Sequence, residues 1–209
     1  MPGDLKSERT TLRIQQAAEK LFASRSFETV STRAIAREAG VDAALIHRYF
    51  GSKEGLFQAV MSAAIHPEQL EALVVSEPRE EWGQRLVRAA DKVWTSPAAP
   101  ALKAMARRAL AGNNAVMRDF VTNVLLDRYL PHLTGSDAER RLRASLAGSQ
   151  LVGLVIARHI VGIEPLASLS TDAVADLIGP TLQLYLTGPL RLQESSPAPS
   201  PVPGTGEDS

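Results

Sequence analysis

Apolar residues recur along this chain at intervals of three and four, not two. The first clear stripe is Ile14, Ala17, Ala18, Leu21 and Phe22, one face of an amphipathic helix that Ser7 or Thr10 can cap. Ser31 then caps a short helix running through Glu38, Ala39-Gly40-Val41 forms a turn, and Asp42 caps a second short helix ending near Tyr49. Gly51 stops the chain, and Ser52 opens a longer helix to about Ile65. That helix ends at His66-Pro67, because a proline disfavours helical geometry in the residue before it.

Beyond Pro67 the same period predicts helices near 67–75, 79–95, 99–112, 114–131, 136–162 and 171–187. They are separated by Pro78, the loop Ser96 to Pro100, Gly112-Asn113, the turn Pro131 to Gly135, and the stretch Gly162 to Ser170. Pro180 is expected to bend or break the last of them. No stretch alternates with the period of a strand. The pattern predicts an all-α chain: a three-helix helix-turn-helix head over 8–66 with its motif at about 31–50, and a larger helical domain over 67–190. The tail over 191–209 is rich in Pro, Ser and Gly and is expected to be disordered.

Composition changes this picture little. Hydrophobic residues make up 44% and charged residues 22%, enough for a real core. Formal net charge is zero, but residues 1–60 hold nine Lys or Arg against seven Asp or Glu, a mild bias toward a nucleic-acid partner. The absence of cysteine removes disulfides, thiolate metal sites and cysteine nucleophiles, and suits a cytoplasmic location. The N-terminus has no apolar segment of secretory type. The most apolar window, Leu146 to Ile163, is interrupted by Gln150, Arg158 and His159, so no membrane span is expected.

The segment Ile35 to Phe57 carries the chemistry. Ile35 supplies an apolar anchor, Ala36 a close-approach position, Gly40 a turn residue tolerant of positive φ, and Val41, Ile46 and Tyr49 further anchors. With those side chains inward, helical geometry puts Arg33, Arg37, Ala43, Ala44, His47 and Arg48 on other faces, and the second short helix is free to enter a major groove of double-stranded DNA. Lys53 sits in the first turn of the next helix, where the macrodipole already favours an anion such as phosphate. Ala43, Ala44 and Leu45 cannot donate hydrogen bonds to bases, so readout there rests on thymine methyls, with Arg33, His47 and Arg48 as the polar readers.

The combination of Phe27, Ser31-Thr32, Ile35-Ala36, Ala39-Gly40-Val41 and Tyr49-Phe50-x-Ser52-Lys53-Glu54-x-Leu56 makes Thr10 to about Val60 resemble the N-terminal domain of the TetR family of transcriptional repressors. The resemblance implies a DNA-binding head, a fourth helix linking it to the body, and a helical C-terminal domain that dimerises and usually accepts a small ligand. Carried to matching positions, it implies that Thr32 and Arg33 reach phosphate and sometimes a base, that Ala43 to Arg48 form the recognition helix, that Tyr49 partly packs and partly touches phosphate, and that Lys53 clamps backbone. Asp42, Ala44 and His47 depart from the family's usual residues; Asp42 remains a competent cap, and His47 can donate to phosphate, more strongly when protonated.

In the body, Ser145, Ser149, Gly153 and Ala157 recur every four residues and trace a narrow strip where another helix can approach closely. Packing within one chain would use such a strip as well as a homodimer would; the resemblance favours the homodimer, with Leu177, Leu184 and Tyr185 on the companion helix. Two heads spaced about one helical turn, roughly 34–36 Å, would meet successive major grooves of a pseudo-palindromic operator. For an unidentified small-molecule effector the candidates are Trp94, Met105, Met117, Phe120 and Tyr129, each of which also reads as core, with Met61 to His66 at the pocket's border. An enzyme is the competing class. Against it, the chain has no Gly-rich phosphate loop, nucleophile elbow or HExxH, its histidines at 47, 66, 132 and 159 lack ligand spacing, and no cofactor is called for. A helix-turn-helix protein that senses no small molecule is the other alternative.

Overall fold

Short polar side chains open the helices where the chain offers them. Ser31 accepts from the amide of Ala34 (3.1 Å), Asp42 from Ala44 (2.7 Å) and Ser52 from Gly55 (3.0 Å). In the body Ser136 and Ser170 do the same for Glu139 and Ala173. The computed structural model describes residues 2–76, 78–111 and 115–190, with side chains from residue 7 onward. The predicted tail over 191–209 and the predicted separator Gly112-Asn113 lie outside the described residues.

All regular structure among the described residues is helical. The head contains α1 (Pro2–Ser24), α2 (Thr32–Ala39), α3 (Ala43–Phe50) and α4 (Lys53–Ile65). Next come α5 (Pro67–Val75), α6 (Trp82–Trp94) and α7 (Ala99–Ala111). A composite rod follows: α8 (Ala115–Asp119), a π-helical segment Phe120–Leu126 and α9 (Asp127–Tyr129). α10 (Asp137–Val155) continues into a second π-helical segment, Ile156–Val161, and α11 (Thr171–Thr187) ends the described fold.

The head is clamped by aromatic packing. Phe22 of α1, Phe27 of the following loop and Phe57 of α4 have ring centroids 5.3–5.6 Å apart, one pair stacked and two edge-on. Ile14, Ile35, Ile46 and Leu56 are fully buried around them. The same apolar cluster continues into α6, α7, α8 and the first π segment through Trp94, Leu102, Met105, Val116 and Phe120. A second cluster joins α5, α6, α10 and α11. There α6 and α11 cross closely at two glycines: a Cβ on Gly83 would overlap the carbonyl oxygen of Gly179, and one on Gly179 would lie 2.9 Å from Gln84 Cα.

Buried polar groups tie the elements together. Asp91 of α6 accepts from Arg158 Nε at 2.9 Å, from His159 Nε2 at 2.7 Å and from the Thr171 hydroxyl. Arg158 also donates to the carbonyls of Leu166 and Leu169. One carboxylate thus fixes α6, the second π segment and the start of α11. Burial alone would raise the Asp91 carboxyl, but hydrogen bonds from Thr171, His159 and Arg158 outweigh it and hold it below its ordinary range. Burial lowers the His159 imidazole, partly opposed by Asp91. Arg143, also buried, donates to Glu139 and to the carbonyls of Tyr185 and Gly188, pinning α10 to the end of α11.

Several expectations are corrected. α1 starts at Pro2, ahead of Ser7 and Thr10, because proline's fixed φ suits a first helical position; Ser7 instead receives the Thr11 hydroxyl on its carbonyl within the helix. His66 leaves the right-handed region as expected before Pro67, but into the left-handed one, with φ 52°. α11 runs through Pro180 without a break: the residue before it is Gly179, with no Cβ to meet the ring, and Pro180 is exposed, so water reaches the carbonyl it leaves free. Asp137–Val161 is, contrary to the reading of its apolar window, long and apolar enough to cross a membrane by length and composition, its most apolar 18-residue window having mean hydropathy 1.4. Within the fold it carries the buried Arg143 and Arg158, paired as above.

Replacing Asp91 by Ala strands Arg158 in the interior and should lower unfolding stability by about 3–5 kcal/mol in chemical denaturation. The depressed His159 gives a pH dependence of known sign: its contribution is complete above the ordinary value of 6.5 and is lost as pH falls below it, because the unfolded chain takes up a proton the folded chain resists. Denaturation at pH 7 and pH 5 should show this loss reduced in His159→Asn.

Candidate nucleic-acid interface and ligand cavity

In the head, the anchors face inward and the charged side chains face out. Ile35, Ala36 and Ile46 are buried, Val41 and Tyr49 half-buried. Gly40 adopts φ 62° and ψ 44°, its amide and that of Val41 capping the end of α2 on the carbonyls of Arg37 and Ala36. Arg13 of α1, absent from the expected site, donates to the carbonyls of Ala39 (2.5 Å) and Gly40 (3.2 Å) and sets the angle of the turn. No local pattern marks it; the partners are more than 25 residues away in sequence.

Arg33, Arg37, Ala44, His47 and Arg48 are exposed. Thr32 is half-buried at the start of α2, and Ala43 and Leu45 lean partly on the head core, so Ala44 is the most open of the three apolar readers. His47 donates from Nδ1 to the Gly51 carbonyl at 2.9 Å, so a neutral ring presents Nε2 as an acceptor, and donation to a phosphate requires the imidazolium. Lys53 does not extend into solvent. Its ammonium donates to the Phe27 carbonyl at 2.8 Å and lies 4.2 Å from the Phe27 ring centroid, bracing the start of α4 against the aromatic cluster.

In the body, the strip of small residues is open. Ser145, Ser149 and Gly153 are exposed and Ala157 half-buried, and a Cβ on Gly153 would meet nothing within 4 Å. Leu177 (66% exposed) and Leu184 (48%) lie on the neighbouring α11. Packing within one chain therefore leaves most of this strip uncovered.

The other face of α10 lines a cavity of about 150 Å³. Ala144, Ala147, Gly148, Leu151 and Val155 follow one helical stripe into it. Of the five expected lining residues, Trp94, Met117, Phe120 and Tyr129 are on the wall. Met105 is not. On α7 it belongs with Leu102 and Ala109 to a stripe buried in the core shared with the head, while Ala106 and Leu110, one step round the helix, reach the cavity. Met61 and Ile65, at the C-terminal end of α4, form part of the wall. Both π segments do too, through Phe120, Val121, Ile156 and Ile160; such irregular turns are frequent at functional sites and leave no simple period in the sequence.

Comparison with known proteins follows the same division. Residues 14–60 match the family described as bacterial regulatory proteins, tetR family, and residues 80–186 match the tetracyclin repressor-like C-terminal domain. A TetR-family regulator from Streptomyces coelicolor A3 is 36% identical, with 86% of this chain and 95% of that chain covered and a TM-score of 0.71. NalD, the secondary repressor of the MexAB-OprM multidrug efflux pump in Pseudomonas aeruginosa, shares the fold at 20% identity, with 87% and 98% covered and a TM-score of 0.55. FadR from Bacillus subtilis, solved with stearoyl-CoA, does so at 16% identity, with 86% and 99% covered and a TM-score of 0.54. No curated protein matches the sequence.

Lys53→Met should remove both contacts with Phe27 and lower the stability of the DNA-free protein by about 1–2 kcal/mol, read in thermal or urea unfolding. Unchanged stability would mean that Lys53 has no bracing role.

Proposed function

This chain belongs to the TetR family of bacterial transcriptional regulators, and on that premise we propose that it acts in the cytoplasm as a homodimeric repressor, released from a pseudo-palindromic operator by a small-molecule effector. The observation that carries the reading is the outward face of α2 and α3: Arg33, Arg37, His47 and Arg48 are exposed beside a buried apolar seam, on helices short enough for one to lie in a major groove. Phosphate contacts from Thr32, Arg33 and Tyr49 would set register, and Ala44, His47 and Arg48 would meet base edges. Lys53 serves first as the brace of α4.

The open strip Ser145, Ser149, Gly153 and Ala157, with Leu177 and Leu184, supports the dimer: apolar and small side chains left uncovered on two adjacent helices match what a second copy would bury. The cavity supports the effector, and favours this reading over a helix-turn-helix protein that senses nothing. Its wall includes Met61 and Ile65 of the helix that leads into the head. An effector acts only if it binds more tightly to the arrangement in which the heads no longer fit two grooves. α4 is suited to transmit this, since it packs on α8 and the first π segment, while α1 packs on α7 and accepts Arg108 on the Ala23 carbonyl at 3.0 Å.

Selection of bound sequences from a random duplex pool, followed by gel-shift titration, tests the DNA reading. Arg48→Ala should weaken the selected operator on the order of tenfold and, if Arg48 reaches phosphate, reduce the salt slope by about 1. Enrichment of no sequence would overturn it. Leu177→Glu should convert a sedimenting dimer to a monomer and abolish high-affinity operator binding; a dimer that persists places the interface elsewhere.

A further inference from the structure

The wall of the cavity restricts what can enter it. Among the described residues no lining residue is charged, and Tyr129 and Trp94 contribute the only hydrogen-bonding side-chain groups. Charged groups beside Tyr129 and Trp94 are paired with one another. Arg128, next to Tyr129, is paired with Glu68 and Glu71, and Glu71 also takes His132 at 2.8 Å. Behind Trp94, whose ring stacks on His159, the carboxylate of Asp91 is saturated by Arg158, His159 and Thr171. A carboxylate or ammonium group carried into this space would lose water and gain no opposite charge among the described lining residues.

Size narrows the choice further. Sites for drug-sized ligands run to roughly 300–1,000 Å³, well above the volume of about 150 Å³ here. An engineered apolar cavity of about 150 Å³ in another protein stays dry and takes up benzene.

We infer that the effector is a small, uncharged, hydrocarbon-like molecule on the order of six to ten carbons, with at most one neutral polar group for Tyr129 to meet. The inference rests on the regulator reading above and names the ligand class of that site. Burial raises the Tyr129 phenol, and Glu71 adds to the effect, so it stays a neutral hydroxyl capable of donating. Contact with Met61 and Ile65 places such a molecule against α4, and the two π segments offer walls whose register can shift around it.

Trp94 lines the cavity and Trp82 does not, so a Trp82→Phe chain carries a single emitter at the site. Toluene should change its fluorescence with an affinity at least tenfold tighter than benzoate or benzylamine, which add one charge to the same frame; hexadecanol tests length. Thermal shift of the unaltered chain should give the same order, and Ala106→Leu, which fills the wall, should abolish the toluene response. Equal or tighter binding of a charged probe, preference for hexadecanol, or no response to any probe would overturn the ligand class. Selected-operator binding is measured on the same samples: its persistence beside a failed panel sinks only the ligand class. Toluene binding without weaker DNA binding sinks the release mechanism and leaves the class standing.

Discussion

Three phenylalanines hold the functional end of this protein in place. Phe22, Phe27 and Phe57 come from α1, the loop after it and α4, and their mutual packing closes the space into which α2 and α3 lay Ile35, Ala36 and Ile46. Each anchor that turns inward fixes where its neighbours on the helix point, since residues one and two positions away lie on other faces. The exposure of Arg33, Arg37, His47 and Arg48 is thus a consequence of core packing. Arg13 and Lys53, both basic and both near the surface, serve that frame by donating to the carbonyls of Ala39, Gly40 and Phe27.

The same apolar cluster runs on into the body, so the head and the wall of the cavity share one core. Phe120 and Trp94 belong at once to that cluster and to the cavity wall, and Met61 belongs to α4, the head core and the wall together. A molecule that spreads this wall must move something the head rests on, because close-packed interiors do not absorb added volume silently. On the far side of the cavity, Asp91, Arg158 and Arg143 lock α6, α10 and α11 to one another.

Much of the architecture was legible because it depends on local signals. Ser31, Asp42 and Ser52 cap the helices they were expected to cap, and Gly40 takes the left-handed conformation its place in the motif requires. The outward face of α3 follows from the same period that identifies its anchors. What escaped depends on distance along the chain or on helical phase. Asp91 meets partners that lie 67 to 80 residues away. Gly83 and Gly179 are meaningful only as a pair. Met105 is apolar and central like Met117, but a single helical step separates a core stripe from a cavity stripe. The π segments shift that phase once more, so the walls they build follow no period readable in one dimension.

Hydroxyl-radical footprinting of the unaltered protein on a selected duplex at low ionic strength tests the central claim most directly, because it reads which face of DNA the exposed side of α2 and α3 covers. Two protected patches on one face of the duplex, about 10 base pairs apart from centre to centre, are the predicted result. No protection at saturating protein, or one patch lacking a symmetric mate, would contradict it.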